Sequence, residues 1–265
     1  MGTVALYGAG AMGEALLAGL LDGRDAADVV ITEKRAGRAD EFRERFGVRV
    51  LDQAEAAREA DIVLVVVKPY DVVPLLEDIA DELRDDALVL SFAAGITTAT
   101  LEGALRPGTA VVRIMPNTPA LVGQGMFALS PGSACPDERL AEATELVSGS
   151  GRAVVVPESQ QDAVTGVSGS GPAYVFHVIE AMIEAGVGQG LPRDVATELT
   201  VQTVLGAATL LRESGQHPSL LREQVTSPGG TTAAGLAQLD AHGVRSAFAA
   251  AVGAAARRSA ELSGD

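Results

Sequence analysis

Short runs of apolar, β-branched residues recur from Val4 to about Val156 and then stop, and this alternation limits the fold more than any other feature. The runs lie at 3–7, 29–32, 62–67, 88–92 and 110–115, with helical spacing between them at 11–21, 36–46 and 72–83. Strands that are apolar on both faces suit a parallel sheet covered by helices on each side, so the pattern predicts a doubly wound α/β sheet. Runs at 125–129 and 153–156, separated by a helix-like stretch at 137–148, read as its last strands. Beyond Pro157 the strand signal disappears, and helices are predicted at 172–188, 193–213, 231–241 and 245–262. The expected organisation is therefore a sheet domain over 1–157 followed by an all-helical domain over 158–265. A chain of 265 residues has enough core for either one large domain or two modest ones.

The run Gly8-Ala9-Gly10-Ala11-Met12-Gly13 stands directly after the first strand and before the first helix. In that setting GxGxxG has a mechanism. Gly8 makes the tight turn, Gly10 lets backbone approach a pyrophosphate, Gly13 permits close helix packing, and the helix N-terminus supplies free N–H groups. The first domain is thus expected to be a Rossmann-type doubly wound sheet binding NADPH or NADH. Glu33 closes the second strand twenty positions after Gly13, where a carboxylate would accept from the adenosine ribose hydroxyls of NADH. Lys34 and Arg35 follow at once, and either would pair with the 2′-phosphate of NADPH. A solvated charge run at a strand end is the alternative, and the sequence leaves the choice of nucleotide open.

Other strand ends converge on the same crevice: Val67-Lys68-Pro69, Ala93-Ala94-Gly95, and the segment from Met115 to Pro119. Lys68 is one of only two lysines, the other being Lys34, and either holds ligand charge or forms a surface ion pair. In the helical domain, Ser168-Gly169-Ser170-Gly171-Pro172 precedes a helix and suits either close packing or ligand contact. The segment Thr226 to Thr232, with Ser227, Gly229, Gly230 and Thr231 inside it, opens a further helix. Two glycines and several hydroxyls exceed what an N-cap needs and suggest a nest of donors for a carboxylate.

Composition narrows the partners. A formal charge of −15, with 20 basic against 35 acidic residues, repels nucleic acid and anionic lipid. Cys135 is the sole cysteine, so no internal disulfide or cysteine zinc cage is possible and a reducing cytoplasm is expected. The chain enters its first strand without a basic leader, and no apolar stretch is long enough to span a bilayer, so no membrane association is expected. His177, His217 and His242 are scattered and no carboxylate cluster suggests metal, so none is expected. The helices rich in Ala, Val and Gly, as at 172–185 and 247–256, are apolar on more than one face. They predict a homo-oligomer joined through the helical domain, with a tight monomeric bundle as the alternative.

At GAGAMG (8–13), VVVKP (65–69), FAAGIT (92–97), RIMPNTPA (113–120), AVTGVSGSGPAY (163–174) and VTSPGGTTAAGL (225–236), the chain resembles the pyrroline-5-carboxylate reductases. The resemblance covers essentially the whole chain, and its last block resembles the family's signature. It implies NAD(P)H-dependent reduction of the cyclic imine 1-pyrroline-5-carboxylate to L-proline, the last step of proline synthesis. It also implies a dimer with interlocking helical domains and, in many members, a decamer. Cofactor contacts carry over to Tyr7, Gly8, Ala9, Gly10, Ala11, Met12, Gln53, Val66, Val67, Lys68, Pro69, Phe92, Ala93 and Ala94. Substrate contacts carry over to Val225, Ser227, Gly230, Thr231 and Thr232, with Thr232 the expected catalytic residue, hydrogen-bonded to the ring nitrogen. Glu33-Lys34-Arg35 departs from the Ser or Arg that many members carry, so dual use is expected, with the modest preference for NADPH that the resemblance implies.

Two other readings are open on the residues. A β-hydroxyacid dehydrogenase shares the two-domain plan but needs a lysine after its second glycine motif, where Val175, Phe176 and His177 stand. A silent NAD(P)H-sensing protein would keep GAGAMG and have no use for SPGGTT.

Overall fold

Strands of four residues that are buried at every position must have neighbours on both edges and layers on both faces. This is so for β1 (Val4–Tyr7), β2 (Val29–Thr32), β4 (Ile62–Val65) and β5 (Leu88–Ser91). The computed structural model describes residues 2–263. Among them these strands join β3 (Arg49–Val50), β6 (Ala110–Met115), β7 (Gly125–Pro131) and β8 (Gly151–Val155) in one eight-stranded sheet of order β3-β2-β1-β4-β5-β6-β7-β8.

The first six strands are parallel, and β7 runs antiparallel to β6. Only a 3-10 turn, Thr118–Val122, links those two, and a link without a crossover helix forces the chain to reverse. Between β7 and β8 the helix α6 (Asp137–Ser148) restores a crossover, and the pair is parallel again. The strand order reverses between β1 and β4, the position at which open α/β sheets bind ligands.

Alternation along each strand divides the core. Val4 and Leu6 pack on one face with Leu16, Leu17 and Leu20 of α1 (Ala11–Leu21), Phe42 of α2 (Ala36–Phe46), and Ala143 and Val147 of α6. Ala5 and Tyr7 face the other layer, made by α3 (Gln53–Glu59), α4 (Pro69–Ile79) and α5 (Thr98–Gly103). The helix expected at 72–83 starts earlier, because Pro69 at the first helical position begins it, and it ends at Ile79. The strand expected at 62–67 correspondingly ends at Val65. Elements as short as β3, α3 and α5 give no readable period.

The chain forms two compact units. One runs to Ser170 and takes in the segment from Ala254 onward; the other is Gly171–Gly253. The strand pattern ends near 157, but the first unit continues through α7 (Gln161–Val164) and a π-helical turn (Thr165–Gly169). Side chains hold this stretch to the sheet. Gln161 Nε2 donates to the Ala128 carbonyl (3.2 Å) and Ser130 Oγ (2.8 Å), and Glu158 pairs with buried Arg113 (3.1 Å). At the chain's other end, Ser259 Oγ donates to Asp162 Oδ1 at 2.6 Å.

The second unit holds α8 (Gly171–Gly188), α9 (Arg193–Ser214), α10 (Pro218–Gln224), α11 (Thr231–Ala241) and the first half of α12 (Val244–Ser263). Gly186 admits close approach of α9: a Cβ there would meet Ala196 Cβ at 3.3 Å. No residue of α8, α10 or α11 is buried, and α9 buries only Ala196 and Thr200. Among the described residues no helix is long and apolar enough to cross a membrane.

Candidate active site

The glycine loop between β1 and α1 is shaped by three different demands. Gly8 has φ +106°, where side chains are strained, and a Cβ would lie 2.8 Å from the Val66 carbonyl oxygen. A Cβ on Gly13 would drive into the Gly8 carbonyl oxygen. Gly10 differs: nothing lies within 4 Å of where its Cβ would be, so the missing side chain leaves room on the cleft side. Gly10 is also the N-cap of α1 and no side chain caps that helix, so its first-turn N–H groups remain for an outside acceptor. This open cradle at an uncapped helix N-terminus fits a dinucleotide pyrophosphate.

A cleft of about 780 Å³ opens over the loop. It is lined by Gly8, Ala9, Gly10, Ala11, Met12, Glu33, Lys34, Arg35, Gln53, Val66, Val67, Lys68, Pro69, Phe92, Ala93 and Ala94, so the structure brings these expected cofactor residues onto one surface. Tyr7 and Gly13 stand behind it. Tyr7 is fully buried and its hydroxyl donates to the Gln53 carbonyl at 2.8 Å, fixing the start of α3; burial, with Asp52 nearby, pushes the phenol's pKa up. Lys68 is the N-cap of α4 and is exposed on the cleft wall, and among the described residues no carboxylate pairs with it.

Glu33 is the fixed charge of the cleft. Its side chain is 8% exposed, and Arg35, itself 69% exposed, holds it with Nε at 3.0 Å and Nη2 at 3.1 Å. The Arg35 side-chain bonds keep the Glu33 carboxyl at a pKa of about 2 against the opposing effect of burial, helped by the backbone N–H groups of Arg35 and Ala9.

Sequence reasoning missed Arg38. From the first turn of α2 its side chain leans back toward the helix N-terminus, as helical side chains do, and Nε donates to the Ala9 carbonyl at 3.0 Å. Glu14 (2.5 Å) and Glu41 (2.6 Å) hold the other guanidinium nitrogens, and Phe42 lies under it at 4.5 Å. The only sequence signal was its place one turn beyond Glu33. Asn117, in the segment after β6, was also missed as a tie: Oδ1 accepts from the Met126 N–H (2.8 Å), and Nδ2 reaches the Ser168 carbonyl and hydroxyl, each at 3.3 Å.

In the second unit, the expected substrate residues surround the N-terminus of α11. Ser227-Pro228-Gly229-Gly230 forms a turn closed by the Gly230 N–H to the Ser227 carbonyl (3.0 Å), with Gly229 at φ +69°. A Cβ on Gly230 would collide with Ser227 Oγ. Gly230 is the N-cap of α11 and no side chain caps it. The first-turn amides and the Thr231 and Thr232 hydroxyls are thus open to an acceptor such as a carboxylate, and Val225, 64% exposed, precedes them at the end of α10.

Comparison with known proteins decides the family. Residues 158–262 match the pyrroline-5-carboxylate reductase dimerisation model, and residues 3–95 match the model described as NADP oxidoreductase coenzyme F420-dependent. A pyrroline-5-carboxylate reductase of Corynebacterium melassecola is 44% identical over 267 residues, 99% of each chain. The chain belongs to the pyrroline-5-carboxylate reductase family. Solved structures agree: the reductase of Coxiella burnetii superposes with TM-score 0.95 at 35% identity, covering 99% of this chain and 98% of that one. The reductase of Plasmodium falciparum, solved with NADP bound, superposes with TM-score 0.87 at 28% identity over 99% and 98%. The segment matching the oxidoreductase model runs from β1 to Gly95, just past β5, and contains the whole glycine-loop cleft; the segment matching the family's dimerisation model contains α8 to α11.

Proposed function

We propose that this chain reduces 1-pyrroline-5-carboxylate to L-proline with NADPH or NADH. The observation that carries the reading is the pairing, within one family member, of an open glycine cradle at an uncapped helix N-terminus with a second uncapped N-terminus, flanked by hydroxyls, at SPGGTT. When bound, the nicotinamide supplies the hydride that the imine carbon accepts. The chain's own part is positioning and electrostatics. The α1 N-terminus and Gly10 hold the pyrophosphate, and Val66, Val67, Phe92 and Ala93 shape the wall beside it. The amides of Gly229 and Thr231 hold the substrate carboxylate, the Gly230 N–H being taken by the Ser227 carbonyl, and the Thr232 hydroxyl hydrogen-bonds the ring nitrogen. The imine brings its own basic nitrogen, so no lysine is required of the helical domain. Purified protein should oxidise either reduced nucleotide only when 1-pyrroline-5-carboxylate is added; no oxidation with either would overturn the reading.

Thr232→Ala tests the substrate end alone. Loss of one hydrogen bond of about 0.5–1.5 kcal/mol lowers kcat/KM for the imine by roughly two- to tenfold. Nucleotide affinity stays where it was, because residue 232 lies outside the glycine-loop cleft. An unchanged kcat/KM removes Thr232 from the chemistry.

The helical unit supports self-association. Its helices bury almost nothing, and Phe176, Leu199, Leu205 and Leu210 are each more than half exposed. We assign the dimer contact to these helices and take the decamer implied by the family as the larger assembly; sizing would separate twice from ten times the chain mass. A lone, half-buried thiol at Cys135 supports a cytoplasmic enzyme acting on a small molecule, and the net charge of −15 opposes nucleic-acid and anionic-lipid partners.

A further inference from the structure

Every acceptor position of the Glu33 carboxylate is filled from within the chain. Oε1 accepts from the Arg35 backbone N–H (2.9 Å) and Arg35 Nε (3.0 Å), and Oε2 accepts from Arg35 Nη2 (3.1 Å) and the Ala9 N–H (3.3 Å). A carboxylate offers about four lone-pair sites, so this one has none left for the two neighbouring hydroxyls of an adenosine ribose. Arg35 is engaged in turn: the Nε–Nη2 edge of its guanidinium, one of those able to grip a phosphate through two parallel bonds, is turned onto Glu33. The two partners are not equally free. Glu33 is nearly buried and tied to the glycine loop through Ala9, whereas Arg35 stands mostly in solvent. When the pair opens, Arg35 is the side that moves.

We infer that Glu33 and Arg35 form an intramolecular latch at the ribose end of the cleft, which either nucleotide opens by displacing Arg35, so that the two residues set cofactor choice jointly. The inference rests on reading the cleft as the nucleotide site. It differs from treating the acid and the base as independent, opposed determinants. In the latched state Arg35 contributes little to a 2′-phosphate and Glu33 little to ribose hydroxyls. The remaining cations divide clearly. Arg38 is committed to Ala9, Glu14 and Glu41, while Lys34 is exposed on the same lip and, among the described residues, makes no ion pair. Lys34 therefore meets the phosphate first, and Arg35 reaches it only by giving up its bonds to Glu33.

A double-mutant cycle read by direct titration of NADPH and NADH, following reduced-nicotinamide fluorescence, tests the latch in wild type, Glu33→Ser, Arg35→Ala and the double variant. Because Glu33 holds the guanidinium through Nε and Nη2, Arg35 adds little at the phosphate, so Arg35→Ala should weaken NADPH binding by less than about threefold in the native background. After Glu33→Ser frees the guanidinium for a bidentate phosphate contact, the same change should weaken it by about tenfold or more. Arg35→Ala should also tighten NADH by about threefold, since two Glu33 acceptor sites become available. Equal effects of Arg35→Ala in both backgrounds, or weaker NADH binding in Arg35→Ala, overturns the latch. Wild type that binds neither nucleotide instead defeats the reading of the cleft itself.

Discussion

Gly13→Ala is expected to weaken binding of both nucleotides by roughly ten- to a hundredfold and to lower thermal stability, although alanine is the better helix former. At an ordinary helical position the exchange gains up to about 1 kcal/mol. Here the new methyl would enter the Gly8 carbonyl oxygen, which is backbone and cannot rotate away, and would crowd Leu6 Cδ2 at 3.3 Å. Relief requires α1 to move off β1, and overpacking of this kind costs about 1–3 kcal/mol. The same movement opens the turn at Gly8 and misaligns the first-turn N–H groups of α1, so the loss falls on pyrophosphate binding as well as on the fold. Gly10→Ala supplies the contrast. Its methyl meets nothing within 4 Å, so melting temperature should hold while nucleotide affinity falls, because the methyl occupies the cradle. Calorimetry and fluorescence titration on the two variants check this; Gly13→Ala protein with native affinity would show that helix packing at Gly13 does not shape the loop.

The parts of the molecule that could be read in advance are those governed by local rules. The first two helices, at 11–21 and 36–46, are bounded by glycines with defined jobs, Gly10 as the N-cap of α1 and Gly47, at φ +68°, as the left-handed C-cap of α2. The parallel strands announce themselves because burial on both faces demands continuous apolar runs. The glycine loop carries its own mechanism in its spacing. What stayed illegible depends on contacts distant in sequence or on the geometry of a single pair. Arg38 reaches Ala9 across 29 positions, and Asn117 reaches Ser168 across 51. Glu33-Lys34-Arg35 reads as a charge run in which acid and base compete for the nucleotide, because nothing in the order of the residues says that Arg35 folds back to occupy both oxygens of Glu33. The helical unit shows the same divide. Its long helices follow from their length and spacing, whereas α10 has only seven residues and escapes detection. The composition indicated that apolar faces needed cover but not which residues would be left bare.

Leu205→Asp is expected to break the self-association of the helical unit and, with it, most of the protein's stability. Most exposed apolar residues of α9 fall on two stripes, Val195, Leu199 and Leu210 on one and Val201 and Leu205 on another, while Ala196 and Thr200 pack inward on a third side that also carries Leu211. A helix bare on two sides in a unit that buries so little cannot be satisfied by its own chain, so association supplies the missing core. Leu205 is 59% exposed in the single chain, and covering it on dimerisation removes apolar surface from water. An aspartate at that position must either be desolvated without a partner or take up a proton, and two-fold symmetry places the cost in the interface twice. A total of about 4 kcal/mol or more corresponds to roughly a thousandfold weaker dimer. The wild-type melting temperature should rise with protein concentration, as mass action requires of a folded state that exists only when associated, and in the variant the midpoint should fall sharply. Leu205→Met, which keeps volume and hydrophobicity, should restore both association and midpoint. Light scattering on the three proteins reads the outcome. A Leu205→Asp protein that keeps the wild-type mass and melting temperature would place this stripe in solvent and move the interface to another face of the unit.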